Sequence, residues 1–194
     1  VLRPVPPVNG RPMIALQIER IRRARSLDAF VVATSREASD DVLAALCLGL
    51  GARVFRGALD DVLDRFYRAA AEVRPEHVVR LTGDCPLTDP ALIDRVVAEH
   101  LASGADCTSN AHVRTFPDGL DVEVLRFAAL EAAWRDAREP AEREHVTPFV
   151  YAHPERFRLR AVTQADDLSA MRWTVDREED LEVVAAVFDR LYAT

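Results

Sequence analysis

The chain has 194 residues, 49% hydrophobic and 29% charged, enough for one globular domain with a substantial core. Its 25 basic residues are all arginine, which excludes a Schiff-base lysine, a Walker lysine and a lysine general base within these residues. The 32 acidic residues leave a net charge of −7, which argues against nucleic-acid and membrane partners, since both need a basic footprint.

Cys47, Cys85 and Cys107 are odd in number and far apart, with no CxxC, as expected of a reducing cytoplasm without disulfides or structural zinc. No apolar run approaches the ~20 residues of a membrane span. Val1 to Gly10 is rich in proline and lacks the apolar stretch of a signal peptide.

In chain order, Ile14, Ile18 and Ile21 fall on one helical face. Phe30 to Thr34 is a short β-branched run, as in a buried parallel strand. Val42, Leu43, Leu46 and Leu50 form a helical stripe that Gly49 and Gly51 close. Arg53 to Gly57 is a second strand, and Val62, Leu63, Phe66, Tyr67 and Ala70 form the next helix. His77 to Thr82 is a third strand. The helix carrying Leu92, Ile93, Val96, Val97 and Leu101 follows, with Pro90 at its start and Gly104 at its end. Cys107 to Asn110 is a weaker fourth strand. This alternation predicts βαβ units and a mostly parallel sheet.

Beyond residue 110 the rhythm changes. Asp121 to Leu125 alternates as a half-exposed strand would, and helices are expected over 127–138 and 142–152. Further strands are read at Phe157 to Val162 and at Met171 to Val175. Leu181, Val184, Ala185, Phe188 and Leu191 mark a last helix, with Asp176 and Glu179 as its N-terminal capping pair. Residues 1–194 are thus read as one domain, with 111–165 as an inserted subdomain of antiparallel character.

Ligands in open parallel sheets bind beyond the carboxyl ends of the strands. Asp84, in Leu81-Thr-Gly-Asp-Cys-Pro-Leu87, follows a strand directly and suits an oxygen ligand of Mg²⁺; a loop-capping aspartate is the alternative. Asp176 again follows a strand; it is either a helix N-cap or a second metal carboxylate. Two such aspartates meeting at one sheet edge would serve a cation on a polyphosphate. Asp118, Asp121 and Glu123 place three carboxylates in six residues, as hydroxyl-orienting groups or as a solvated strand face. Pro117-Asp118-Gly119 alone is explained by a turn. Glu144 and His145 are read at a helix start, with His145 as a substrate contact or a partly buried structural group. Cys85 lacks the electropositive setting of a nucleophile and is read as structural. Arg80 and Arg172, inside strands, should each pair with a carboxylate. Neither GxGxxG nor GxxxxGK occurs, which removes the dinucleotide fingerprint and the P-loop.

Four blocks, Arg80-Leu-Thr-Gly-Asp84-Cys-Pro-Leu87, Pro117-Asp-Gly-Leu-Asp-Val-Glu-Val124, Arg143-Glu-His-Val-Thr-Pro148 and Leu168-Ser-x-x-Arg-Trp-Thr-Val-Asp176, resemble the cytidylyltransferase family in its SpsF branch. That family also contains the acylneuraminate and KDO enzymes. Asp28-x-Phe-Val-Val-Ala-Thr-Ser35 and Val54-Phe-Arg-Gly-x-x-Asp-Asp-Val-Leu-Asp-Arg65 fit it too. The resemblance implies a Rossmann-like nucleotide-diphospho-sugar transferase fold: a three-layer sandwich with a mostly parallel mixed sheet and a small antiparallel, dimer-forming subdomain. It implies Mg²⁺-dependent transfer of CMP from CTP to an acidic sugar, with pyrophosphate released, in polysaccharide or glycoconjugate biosynthesis. It places Asp84 and Asp176 at the metal, and Arg80, Asp118, Asp121, Glu123 and His145 on the substrate side. It implies a homodimer. The family begins with a strand and a loop like G-S-x-R-L-P-G-K that these residues do not contain, so that loop is expected upstream of Val1. Another NTP as donor, a GT-A-like glycosyltransferase, or a non-catalytic scaffold are the alternatives.

Overall fold

A computed structural model describes residues 7–8 and 10–192 of the chain. Val1, Leu2 and Asn9, at the expected junction with the phosphate loop, lie outside them. A short antiparallel pair, β1 (Pro7–Val8) and β2 (Arg11–Pro12), leads into α1 (Met13–Ile21). β3 (Val31–Ser35) and β4 (Arg53–Gly57) pair in parallel around α2 (Asp41–Gly49). α3 (Val62–Ala71) then leads to β5 (His77–Arg80), α4 (Pro90–Ser103) and β6 (Cys107–Ser109). β7 (Glu123–Arg126), α5 (Phe127–Asp136), α6 (Pro140–His145), α7 (Pro148–Ala152), β8 (Leu159–Ala161) and α8 (Glu178–Leu191) complete the chain.

The larger sheet has the order β5-β7-β6-β8. β7 is antiparallel to both β5 and β6, and β6 is parallel to β8. Three strands therefore point one way and β7 is the reversed strand between them. This is the mixed sheet expected from the resemblance. β7 and β8, both within 111–165, are built into it.

Helices cover both faces. Leu125 and Cys107 point into a core made with α3, α5 and α7, where Leu63, Leu130, Ala133, Phe149 and Val150 are buried. Val124 points the other way and packs with Val122 and Val162 against Leu92, Ile93, Val96 and Val97 of α4. The period-2 alternation of β7 thus feeds two cores. α1 lies between two further cores. Ile14 and Ile18 pack with α2, while Met13 and Leu16 pack with Val175, Val184 and Phe188.

The ends of α4 obey local chemistry. Asp89 caps it by accepting from the Ala91 N–H, Pro90 occupies the first turn, and Gly104 closes it in the left-handed conformation, φ 61°. Elsewhere the structure corrects the expected elements. β7 is buried rather than half-exposed, because strands flank it on both sides. Val42 in the α2 stripe is 69% exposed, so that helix rests on Leu43, Ala44 and Cys47 instead. The helix expected over 142–152 is two helices, broken at Val146. Met171 to Val175 forms no strand; among the described residues its only ladder contact is the isolated bridge between Asp118 and Arg172. The capping carboxylate of α8 is Asp180, which accepts from the Asp176 and Arg177 N–H groups at 3.0 and 3.1 Å, not Asp176.

Candidate active site

The loop after β5 is fixed from behind by α1. Buried Gln17 donates its side-chain amide to the Thr82 carbonyl at 2.7 Å and to the Thr88 hydroxyl at 3.3 Å. Arg20 donates to the Thr88 carbonyl at 2.7 Å. Asp84 lies in the middle of this braced loop. Its carbonyl accepts from the Val175 N–H at 2.8 Å and from the Thr174 hydroxyl at 3.3 Å. The segment carrying Asp176 is therefore bonded directly to the segment carrying Asp84, although 90 residues separate Thr174 from Asp84 in sequence.

These segments border a cleft of about 330 Å³, and all seven sequence-selected site residues line it: Arg80, Asp84, Asp118, Asp121, Glu123, His145 and Asp176. Their surroundings differ. Among the described residues, the Asp84 carboxylate meets only the Cys85 thiol, at 3.3 Å. Asp176 accepts from Arg172 at 3.0 Å, and the same guanidinium reaches Asp118 at 3.1 Å and Asp180 at 3.2 Å. Arg114 bridges Asp118 at 3.2 Å and Asp121 at 2.9 Å. Two arginines thus link four carboxylates, of which Asp118, Asp121 and Asp176 line the cleft, and this keeps like charges close without mutual repulsion dominating. Burial pushes the Asp121 carboxyl above its ordinary value, against the pull of Arg114. His145 is exposed, at the end of α6 rather than at a helix start.

Glu123 is different: it is 3% exposed and both its oxygens are taken. Thr147 and Tyr151 donate to one oxygen at 2.8 and 2.6 Å, and Arg80 to the other. Arg80 faces Glu123 directly across the β5–β7 ladder. Burial and the Glu123 charge raise the Tyr151 hydroxyl far above its ordinary value, so it stays a donor. Cys85 is buried and its thiol is raised by burial and by Asp84, in keeping with a structural role.

Sequence inspection did not single out Arg114, Thr147 or Tyr151, which also line the cleft. Thr147 and Tyr151 are four residues apart, the spacing that puts two side chains on one helical face. Arg114 shares one segment with the carboxylates it pairs.

The donor set bears on a cation. Among the described residues, no three His, Cys, Asp or Glu side chains converge as a preformed metal cage. A cation carried mainly by substrate phosphates and water needs only one or two carboxylates, which Asp84 and Asp176 fit.

A doubly covered mixed sheet with carboxylates and arginines beyond its strand ends defines a Rossmann-like nucleotidyltransferase fold. A cytidylyltransferase from Leptospira borgpetersenii superposes with a TM-score of 0.92 at 30% identity, over 97% of this chain and 80% of the other. The cytidylyltransferase family model matches residues 3–187, and the chain belongs to that family. Spore coat polysaccharide biosynthesis protein SpsF of Bacillus subtilis is 33% identical over 95% of this chain and 78% of its own. A 3-deoxy-manno-octulosonate cytidylyltransferase of Anaeromyxobacter dehalogenans is 36% identical over a shorter stretch, 53% of this chain and 42% of its own.

Proposed function

We propose that the protein transfers CMP from CTP to an acidic sugar, releasing pyrophosphate, in the synthesis of a polysaccharide or glycoconjugate. The observation that carries this reading is the pairing of Asp84 and Asp176 at one cleft, joined through the Val175-to-Asp84 backbone bond. The relatives named for spore coat polysaccharide and for 3-deoxy-manno-octulosonate support the substrate class.

Asp84 and Asp176 are the residues that would hold Mg²⁺, which when bound supplies charge neutralisation for the triphosphate. The acceptor hydroxyl attacks the α-phosphorus, its proton leaves, and the bond to pyrophosphate breaks. The protein's own part is positioning and electrostatics. Arg114 and Arg172 hold Asp118, Asp121 and Asp176 in place and offset part of their negative charge. Asp118 and Asp121 face acceptor hydroxyls, and His145 stands exposed at the rim as a donor to an anionic group. A homodimer working in the cytoplasm completes the proposal, with 111–165 supplying the contact between copies.

A nucleotide panel tests it. Pyrophosphate release from CTP, ATP, GTP and UTP is measured with and without a divalent cation and a sugar acid such as 3-deoxy-manno-octulosonate. The expected result is release with CTP alone, dependent on both additions. Equal turnover of another nucleotide, or release that ignores the sugar, would overturn the assignment.

A further inference from the structure

The junction between α6 and α7 is strained. Val146 has φ 72° and ψ −54°, a combination rare for any residue with a side chain and rarer for a β-branched one. The Thr147 N–H donates back to the His145 carbonyl at 2.9 Å, which makes the three residues a γ-turn of the positive-φ kind. Such a conformation persists only where its surroundings impose it. The surroundings are visible. The Val146 side chain is fully buried in the core beneath α3, α5 and α7, and Thr147 is 3% exposed with its hydroxyl on Glu123. The first residue of the turn is His145 of the cleft.

Glu123 is the common anchor. It receives Arg80 from β5, Thr147 from the strained turn and Tyr151 from α7. Tyr151 in turn stacks on His112 at 4.4 Å between ring centroids, which ties in the loop after β6. No oxygen of Glu123 is left without a protein donor. Arg80 binds it through Nη1 only, while Nε is buried with no partner. Among the described residues the guanidinium makes this one hydrogen bond, and its carbon lies 5.9 Å from the Phe66 ring centroid.

We infer that Glu123 is a positioning residue rather than a substrate contact: it fixes Arg80 and the His145–Thr147 turn so that both present their polar groups to the cleft. The cleft's role as an anionic-substrate site is taken from the proposed function; the positioning itself is a property of the folded chain. Glu123 thereby leaves the set of direct substrate contacts.

The test uses the intact protein and two variants, Glu123→Gln and Tyr151→Phe, the second because it removes one anchor without touching the buried charge. Hydrogen exchange of the Arg80 Nε–H is followed by ¹⁵N NMR, the signal being identified by its loss in Arg80→Lys. The same variants are assayed for pyrophosphate release from CTP with 3-deoxy-manno-octulosonate. Faster Arg80 exchange in Glu123→Gln, and to a smaller degree in Tyr151→Phe, is expected, with turnover reduced roughly 10- to 100-fold in the first. If Glu123→Gln lost turnover while Arg80 exchanged as in the parent, Glu123 would be a direct ligand and the inference would fail. Parent-like exchange in both variants would also overturn it. A parent that released no pyrophosphate would contradict the proposed function, and the exchange result would still decide the positioning role.

Discussion

Gly119 shows how one residue can set the site. Its φ is +103°, and a Cβ placed there would lie 2.4 Å from the Thr174 nitrogen and 2.5 Å from the Trp173 carbonyl carbon. The turn chemistry of Pro117-Asp118-Gly119 accounts for part of this. The close approach of residues 173–174 accounts for the rest, and it holds Asp118 beside Arg172. Gly119→Ala meets both strain and a backbone clash, so it should destabilise the protein by at least about 2 kcal/mol, read as a lower urea midpoint. Asp84, read as following a strand directly, lies in the loop four residues beyond the end of β5 and borders the cleft. Residue-level chemistry was misleading at Asp176, whose capping role falls to Asp180, because two carboxylates four apart offer the same local signal.

At the scale of elements, α4, β5 and β6 meet around a pair of imidazoles, His100 buried and His77 half-buried. His100 is 1% exposed, with its ring nitrogens 3.0 Å from His77 and 2.9 Å from the Thr108 hydroxyl. Burial, with the neighbouring His77 and Arg126, lowers His100 from 6.5 to about 4, against a smaller opposing pull from Asp106. The unfolded chain takes up that proton near its ordinary value, whereas the folded chain resists it. Stability is therefore full above about pH 6.5 and falls as pH drops toward about 4, by roughly 3 kcal/mol from this group. Urea unfolding across that window should show a shallower slope in His100→Gln than in the parent. Helix ends carried by Pro90 and Gly104 were readable, since capping is local. The break at Val146 was not, because its strain is imposed by contacts with Glu123 and the core rather than by neighbours in sequence. Met171 to Val175 reads as a strand by composition, yet its groups bond to Asp118 and Asp84 as single contacts instead of a ladder.

For the whole molecule, strand-and-helix alternation revealed the α/β class, while the insertion of β7 between β5 and β6 depends on long-range pairing. The polar Glu123 disguised β7 as half-exposed; its charge is matched by Arg80 across the ladder. The three cysteines are buried and spread over different layers, and burial raises all three thiols, Cys107 to about 12. A thiol reagent at neutral pH should titrate none of them in the native protein and all three in denaturant.

In the proposed function, the joint action of Asp84 and Asp176, two aspartates from distant blocks, on a nucleotide is the step open to direct test. It is tested most directly by pyrophosphate release from CTP, with Mg²⁺ and a sugar acid, in Asp84→Asn and Asp176→Asn compared with the parent. Both variants should unfold at the parent's urea midpoint within about 1 kcal/mol, since neither residue is buried in a core, and both should lose turnover by at least about 100-fold. Undiminished release from either folded variant would contradict the account.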